Sequence, residues 1–254
     1  MVFFESLLVA LSTYSAIPTP QFEWNERNMK YSFCFWPVVG VLVGLLLWGW
    51  TALAQALGLS SLLFAAVACC LPLLLTGGIH MDGYMDTCDA LASHQTRERK
   101  LEIMKDPNCG AFAVIYCAVY LMVQFGMLAQ LYELGGAVWL CPGYVLSRAC
   151  GALCGVTLPK ARKSGMLTAY TKDNATKVTV TVMALVILAA GAFALWLSPV
   201  AGGMALAFTA VTVLSYRSMA LRLFGGVTGD TSGFCVQLCE LLFLAGALVG
   251  GLLV

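Results

Sequence analysis

Long apolar runs separated by polar segments dominate this chain. Seven runs approach or exceed the length of about 20 residues that a helix needs to cross a bilayer. These runs lie near residues 33–57, 60–76, 110–131, 135–157, 178–198, 201–216 and 233–254. Residues 2–17 form an eighth candidate that could span, re-enter or lie at the interface, because they carry Glu5 and end at a Pro18-Thr19-Pro20 turn. The pattern predicts an all-α polytopic membrane helix bundle of about seven or eight transmembrane helices.

The lengths of the connecting segments predict how these helices are paired. Short links each predict a helical hairpin, and they lie near residues 58–60, 132–134 and 199–201. Longer polar links must then share one side of the membrane, and they are residues 18–32, 77–109, 158–177 and 217–232. Thirteen of the fourteen Lys and Arg residues lie in these long links, the exception being Arg148. By the positive-inside rule, this side is predicted to be cytoplasmic.

The composition agrees with a membrane protein and excludes several other classes. The chain is 60% hydrophobic and 11% charged, whereas a soluble domain carries about 25% charged residues. This excludes an ordinary soluble enzyme, a disordered chain and a nucleic-acid binder, and it makes membrane lipid a partner. We therefore expect residues 1–254 to form a single integral domain of the cell inner membrane. The eleven cysteines lie mostly in apolar runs without a CxxC pair, which favours small buried side chains over disulfides.

The polar segment 77–109 carries the first candidate catalytic residues. Asp82, Asp86 and Asp89 stand at i, i+4 and i+7, so a helix places them on one face. Carboxylates on one face repel each other unless a cation sits between them, and hard oxygen ligands suit Mg²⁺. A solvated helix is the alternative, although no Lys or Arg occurs between Asp82 and Asp89. His80 is expected to be a ligand, an acid–base group or a hydrogen-bonded structural residue.

The remainder of this segment forms a shorter predicted helix that ends at Pro107. Glu98, Glu102 and Asp106 align as a second acidic stripe, which neighbouring basic residues can offset. Asp106, beside the proline turn, is the member expected to join the catalytic and metal-binding residues. Lys105 is a candidate for substrate binding.

A second polar loop, residues 222–233, leads into the last apolar run. Its glycines allow backbone N–H groups to turn inward, and the following helix start is a potential anion site. The candidate substrate-binding residues are Gly225, Gly226, Thr228, Gly229 and Thr231. We expect Gly229 to leave room for a phosphate or to adopt a positive φ. Thr231 or Ser232 is expected to cap the helix, and Asp230 is expected to add a carboxylate to the metal cluster.

Two ionisable residues fall inside predicted spans, where such groups usually face a cavity or a partner. Arg148 is a candidate substrate-binding residue, and a structural ion pair between Arg148 and Glu240 is the alternative. The basic link holding Lys160, Arg162 and Lys163 could bind phosphates, but the positive-inside rule alone would also place it there.

These segments resemble the cobalamin synthase family, the adenosylcobinamide-GDP ribazoletransferases. The resemblance rests on H-M-D-G-Y-M-D-T-C-D-A-L from His80, on R-E-R-K-L-E-I-M-K-D-P-N-C-G-A-F from Arg97, and on G-G-V-T-G-D-T-S-G from Gly225, followed by Glu240. It covers most of the chain, with weaker matches at residues 18–20 and 37–40. Ala90 stands where a glycine is usual, and the stretch before Pro18 lacks an expected arginine. Neither departure touches a carboxylate.

The resemblance implies the last assembly step of cobalamin synthesis. The 5′-hydroxyl of α-ribazole (or its 5′-phosphate form) would attack the cobinamide-side phosphorus of adenosylcobinamide-GDP, and GMP would leave. Such chemistry suits one or two Mg²⁺ ions, with a carboxylate outside the metal site or His80 as the base. The metal ligands are then expected to be Asp82, Asp86, Asp89, Asp106 and Asp230. A homo-oligomer is left open.

Two other classes of function remain alternatives at this point. Another Mg²⁺-dependent membrane transferase, of the prenyl-diphosphate or CDP-alcohol type, also uses spaced aspartates. A cation-coupled transporter would place its acids near the bilayer midplane, whereas nearly all acids here lie in the long links.

The topology leads to a first prediction. Cysteines introduced for labelling in residues 83–106 and 160–177 should react only from the cytoplasmic side, because thirteen of fourteen basic residues share that side. The measurement compares labelling by an impermeant maleimide in intact cells and in inverted vesicles. Labelling from outside in intact cells would overturn both the topology and the position of the site.

Overall fold

The computed structural model describes residues 2–20, 23–172 and 174–254. Within these ranges the regular structure is helical, with one isolated backbone bridge between Lys160 and Val227. The helices are α1 (Val2–Tyr14), α2 (Glu26–Met29), α3 (Trp36–Ala56), α4 (Ser61–Thr76), α5 (Ile79–Ala92), α6 (Arg97–Ile103), α7 (Ala111–Glu133), α8 (Cys141–Thr157), α9 (Met166–Lys172), α10 (Thr176–Leu197), α11 (Pro199–Met219) and α12 (Gly229–Gly251). Short 3₁₀ turns precede α3 and α8, and a π-helical turn, Ala220–Phe224, follows α11.

Six of the described helical segments are long and apolar enough to cross a bilayer, and they contain α3, α7, α8, α10, α11 and α12. A seventh crossing results if α4 and α5 are counted as one broken span. This confirms the predicted all-α membrane bundle. The eighth candidate, residues 2–17, forms the 13-residue α1. At 1.5 Å per residue, α1 is about 20 Å long and shorter than a hydrocarbon core of about 30 Å.

The predicted span at residues 60–76 becomes α4, which ends at two glycines in the left-handed region. Gly77 has φ 62° and Gly78 has φ 75°, values that residues with a Cβ rarely adopt. The Gly78 N–H donates to the carbonyl of Leu73 and closes the last turn of α4. The chain then bends by 96° into α5. As a result α5 runs almost perpendicular to α4 instead of continuing it.

The most buried spanning helices, α8 and α12, form the centre of the bundle. Helix α12 packs against α5, α8 and α11, and α8 also packs against α3 and α10. The small-residue spacing of Gly40 with Gly44, and of Gly246 with Gly250, predicts close helix approach. The structure confirms it: a Cβ on Gly40 would overlap the Tyr144 carbonyl, and one on Gly246 would lie 2.6 Å from the α11 backbone.

A buried ion pair joins the two central helices. The Arg148 guanidinium on α8 donates to the Glu240 carboxylate on α12, and also to the Tyr144 carbonyl at 3.1 Å and the Ser147 hydroxyl at 2.9 Å. The side chains of Arg148 and Glu240 are 1% and 3% exposed. The structure therefore shows the pairing that the sequence offered as an alternative. It does not place Arg148 where a substrate could contact it, contrary to our expectation.

The long links meet at one end of the bundle, as the hairpin pattern predicts. The Ala16 N–H donates to the Leu75 carbonyl at 2.7 Å, which ties the end of α1 to the end of α4. Backbone hydrogen bonds of Val227 with Pro159 and Ala161 join the link after α8 to the loop before α12. We call this region, where α1, α4 and α8 end and α3, α5 and α12 begin, the polar end.

Close packing at Gly40 leads to the second prediction. Gly40→Val should lower the free energy of unfolding by about 1–3 kcal/mol, a typical penalty for overpacking, because the new side chain would overlap the α8 backbone. Gly49→Val is the matched control, since it lies on the same helix and its Cβ would meet no atom within 4 Å. The measurement is the thermal unfolding midpoint in detergent. Equal midpoints for the two variants would contradict this packing.

Candidate functional site

Helix α5 carries three aspartates along one side of the polar end. It spans Ile79–Ala92, so the predicted helical spacing of Asp82, Asp86 and Asp89 is confirmed. Asp82 is exposed, whereas Asp86 and Asp89 are half-buried.

A fourth aspartate joins them because two glycines allow α5 and α12 to touch. A Cβ on Gly83 would lie 2.7 Å from the Asp230 carbonyl oxygen, and one on Gly233 would lie 2.9 Å from the His80 carbonyl oxygen. Any larger side chain at either position would push the helices apart. The contact places Asp230, in the first turn of α12, beside Asp82. We call Asp82, Asp86 and Asp230 the carboxylate cluster.

The carboxylate cluster carries more negative than positive charge. Burial, followed by the negative charges of Asp82, Asp230 and Asp89, raises the pKa of Asp86 to about 7. The Arg162 guanidinium opposes this shift. It donates to the Asp230 carboxylate at 3.2 Å and to the Leu101 carbonyl at 2.8 Å. A cation binding here would relieve the repulsion and displace the proton from Asp86.

Asp89 is held in a different way from the cluster. Its carboxylate accepts hydrogen bonds from the backbone N–H groups of Gly110 at 2.7 Å and Ala113 at 2.9 Å. Gly110 is the N-cap residue of α7, so Asp89 supplies the side-chain cap that glycine lacks. Its negative charge also lies at the positive end of the α7 dipole. Asp89 therefore anchors α7 to α5.

Asp106 and Lys105 lie away from the cluster on an exposed turn. The Asp106 carboxylate accepts from the backbone N–H of Asn108 at 2.9 Å and from its side-chain amide at 2.8 Å, which lowers the Asp106 pKa. The structure thus does not bring together the five predicted metal ligands, since Asp89 and Asp106 are hydrogen-bonded to the α7 terminus and to their own turn.

The residues of the cluster are still suitable for Mg²⁺. Within the described residues, no three His, Cys, Asp or Glu side chains form a ready metal-binding group. However, Mg²⁺ usually keeps several waters and is held by one or two carboxylates together with substrate phosphates. Asp82 and Asp86, one turn apart on α5, provide such a pair of hard oxygen donors. The surplus negative charge around Asp86 also favours a cation.

A cavity of about 170 Å³ adjoins the carboxylate cluster. One side of the cavity is lined by aromatic and aliphatic side chains, and the other side by small and acidic residues. The lining residues are Tyr14, Trp36, Ile79, His80, Asp82, Gly83, Leu167, Gly229, Asp230, Ser232 and Gly233. The cavity therefore joins an apolar chamber to two of the three cluster carboxylates.

His80 lies in the wall of this cavity. It is 3% exposed, and burial, with the Arg148 charge as a second cause, lowers its pKa well below the usual range. Its imidazole is therefore neutral at physiological pH. Among the described residues neither of its ring nitrogens has a hydrogen-bond partner. Its ring is nearly parallel to those of Tyr14 and Trp36, with interplanar angles of 8° and 22°.

The glycine loop before α12 differs from the predicted phosphate cradle. The N–H groups of Gly225 and Gly226 donate to the Ala220 carbonyl, and that of Thr228 donates to the Thr231 hydroxyl at 2.9 Å. These donors are thus used inside the protein. Positive φ occurs at Gly225 and Gly226 but not at Gly229.

The start of α12 corrects two further expectations. The helix begins at Gly229, before the predicted apolar run, and Thr228 is its N-cap in a capping box with the buried Thr231. Neither Thr231 nor Ser232 is the cap. Of the predicted substrate-binding loop residues, Gly229 is the one that lines the cavity.

Several cavity residues were missed by sequence reasoning. The sequence around Tyr14, Trp36 and Leu167 does not distinguish a cavity wall from a packed core. Arg162 was considered only as a possible phosphate-binding residue in a basic link, whereas the structure pairs it with Asp230. Lys160 in that link donates to the carbonyls of Gly155 and Leu158 and so caps α8.

Comparison with known proteins gives the family. The family described as cobalamin-5-phosphate synthase matches residues 6–248. The chain belongs to the cobalamin-5-phosphate synthase family. Residues 80–112 and 225–240, which carried the resemblance in the sequence, lie inside the matched region. The cavity residues from Tyr14 to Gly233 lie inside it as well.

Individual members of the cobalamin-5-phosphate synthase family are similar along nearly their whole length. The adenosylcobinamide-GDP ribazoletransferase of Lachnoclostridium phytofermentans is 38% identical over 244 residues, covering 95% of this chain and 92% of the relative. A Pseudomonas entomophila protein of the same name is 38% identical over 247 residues, covering 96% and 94%. One from Pseudomonas fluorescens is 35% identical, covering 94% and 97%. No solved structure matches this chain.

The capping role of Asp89 leads to the third prediction. Asp89→Asn should lower the free energy of unfolding by about 0.5–2 kcal/mol, because one of the two carboxylate oxygens that each accept from a backbone N–H becomes an amide NH₂ and the negative charge is lost. Glu98→Gln is the control, since Glu98 is exposed on α6, lies outside the carboxylate cluster and should leave the unfolding midpoint unchanged. Thermal unfolding in detergent without added metal checks both. A midpoint for Asp89→Asn equal to that of the wild type would contradict the anchoring role.

Proposed function

We infer that this chain catalyses the transfer of the cobinamide phosphate from adenosylcobinamide-GDP to the 5′-hydroxyl of α-ribazole, or of its 5′-phosphate form, releasing GMP. Family membership over residues 6–248 and relatives that carry the name of this activity support the inference. The structural observation that carries it is the carboxylate cluster at the mouth of a cavity. An acidic site for a diphosphate thus adjoins a chamber for a second, smaller substrate.

The reaction needs one bond to form and one to break at phosphorus. The acceptor oxygen bonds to the cobinamide-side phosphorus, its proton passes to a base, and the bridging oxygen leaves with GMP. Negative charge increases on that leaving oxygen. When bound, Mg²⁺ would neutralise this charge and help to align the two oxygens.

The chain's own groups divide between binding and proton transfer. Asp82 and Asp86 would hold Mg²⁺ together with the diphosphate of the donor substrate. We propose that a carboxylate of the cluster that does not bind the metal accepts the hydroxyl proton. Asp230 faces the same cavity as Asp82 from the opposite helix. His80 is the weaker candidate, because its lowered pKa makes the imidazole a poor proton acceptor.

The polar end also supports a proposal for the side of the membrane on which the reaction takes place. We propose that residues 1–254 form one integral domain of the cell inner membrane, with the polar end facing the cytoplasm. The support is the basic charge of the long links. Both substrates would then enter from the cytoplasmic side, and the corrinoid would remain outside the cavity at the membrane surface.

An assay with purified protein in liposomes tests the function. GMP release from adenosylcobinamide-GDP should require both α-ribazole and Mg²⁺, and corrinoid product should form in equal amount. Asp82→Asn and Asp86→Asn should each reduce turnover by about a hundredfold or more, because each removes charge stabilisation at the reacting phosphate. Glu98→Gln is the control, since Glu98 lies on the exposed surface of α6.

Three results would contradict this proposal. GMP release without α-ribazole would indicate a hydrolase. Turnover of a prenyl diphosphate or a CDP-alcohol in place of the corrinoid would indicate a different membrane transferase. Wild-type turnover by both aspartate variants would show that the carboxylate cluster takes no part in the reaction.

A further inference from the structure

The cavity beside the carboxylate cluster has a wall of three nearly parallel rings. Tyr14 stacks on Trp36 with 4.6 Å between ring centroids, and His80 lies 6.1 Å from Tyr14 and 5.8 Å from Trp36. The rings come from the end of α1, the start of α3 and the start of α5. Ile79 and Leu167 complete the apolar side. Such a wall favours a flat, largely apolar ligand.

The same wall holds buried polar atoms that lack partners. Among the described residues, the indole nitrogen of Trp36 and both ring nitrogens of His80 have no hydrogen-bond partner, although Trp36 is 2% and His80 3% exposed. A buried donor or acceptor without a partner is costly, and native proteins rarely keep one without a reason. Two such residues in the wall of one cavity indicate a ligand that supplies a hydrogen-bond partner.

The volume decides which part of the substrates can enter. At about 170 Å³ the cavity is smaller than the about 300–1,000 Å³ typical of sites for drug-sized molecules. A corrin macrocycle cannot fit, whereas a single bicyclic ring can. Three rings of this kind occur in the reaction, namely the benzimidazole of α-ribazole, the guanine of the GDP group and the adenine of the adenosyl group on cobalt. The adenosyl group is bonded directly to the corrin cobalt and stays outside the cavity with the corrin, which leaves the benzimidazole and the guanine.

The chemistry of the wall separates these two bases. Guanine carries polar atoms around most of its edge and needs several partners. The benzimidazole of α-ribazole has apolar edges and a single free ring nitrogen, which accepts one hydrogen bond. The apolar side of the cavity offers one such donor, the Trp36 indole N–H.

Building on the proposed function, we propose that the chamber formed by Tyr14, Trp36, His80 and Leu167 binds the flat nitrogen-containing base of the acceptor nucleoside, with the Trp36 indole N–H donating to its free ring nitrogen. The His80 imidazole, whose ring nitrogens have no partner among the described residues, bonds to a second polar group of the same nucleoside. The ribose then extends past Gly229, where a Cβ would meet no atom within 4 Å and space is therefore left for it. This orientation directs the 5′-hydroxyl toward Asp82 and Asp230 at the cavity mouth.

A conservative variant tests the assigned hydrogen bond. Trp36→Phe keeps an aromatic ring and removes the indole N–H, so the KM for α-ribazole should rise about three- to tenfold. The kcat and the KM for adenosylcobinamide-GDP should stay within twofold. Trp50→Phe is the matched control, because it lies on the same helix about 21 Å away and its indole donates to the Phe64 carbonyl. This control should change none of these parameters.

A second variant tests the position of the ribose. A Cβ on Gly229 would meet no atom within 4 Å, and the backbone φ there is not positive. Gly229→Val should therefore fold normally while its side chain narrows the cavity. It should raise the KM for α-ribazole at least tenfold. A rise in the KM for adenosylcobinamide-GDP alone would place the donor phosphates at this position and overturn the proposed orientation.

A measurement on the wild-type protein keeps the test independent of any variant. Free 5,6-dimethylbenzimidazole should inhibit competitively against α-ribazole and not against adenosylcobinamide-GDP. Guanosine competing with adenosylcobinamide-GDP, with a loss of that competition in Trp36→Phe, would assign the cavity to guanine and overturn the proposal. Unchanged KM values in Trp36→Phe together with no inhibition by the free base would also overturn it. In either case, wild-type turnover would show that the proposed function itself stands.

Discussion

The close contact between the start of α12 and one face of α5 determines the geometry of the whole polar end. Gly83 and Gly233 make this contact possible, because a single added carbon at either position would meet backbone of the opposite helix. The contact in turn depends on the break at Gly77 and Gly78, which directs α5 across the end of the bundle. Without either feature, Asp230 would not share a site with the aspartates of α5.

Because the contact brings the carboxylates of the cluster together, they repel one another, and the positive charge nearby offsets this repulsion only in part. Among the described residues, Arg162 is the cation that forms an ion pair with the cluster, and the pKa of Asp86 still rises to about 7. Any cation that binds there would therefore compete with a proton for Asp86 near neutral pH. Asp89, at i+3 from Asp86, has its charge directed into the N-terminus of α7 instead. Helical spacing thus gives neighbouring carboxylates on one face separate tasks.

Those features that follow from local periodicity were predictable from the sequence. Apolar runs of spanning length predicted the helix bundle. The spacing of Asp82, Asp86 and Asp89 predicted that they share one helix face. The glycine spacing at Gly40 and Gly246 gave the packing of α3 and α12. Each of these depends on residues that lie along a single helix.

Features that depend on distant partners were not predictable in this way. The cap that Asp89 provides needs Gly110 and Ala113, which only the fold brings near it. The glycine loop had the composition of an anion site. However, its backbone N–H groups donate to the carbonyls of Ala220 and Pro159 and to the hydroxyl of Thr231. The aromatic residues of the cavity could not be told from core residues in the sequence. A residue that lines a cavity differs from a packed core residue only in facing empty space on one side, and that depends on distant segments.

The cavity is built from segments spread along the chain, from Tyr14 in α1 to Gly233 in α12. Its last wall is the first turn of α12, and the same helix carries Glu240, the partner of the buried Arg148. During synthesis the earlier helices would enter the membrane while Arg148 lacked its counter-charge and the cavity lacked a side. Insertion of α12 would then complete both the charge pair and the cavity in one step. The cavity would thus not form in a nascent chain before α12 has joined the bundle.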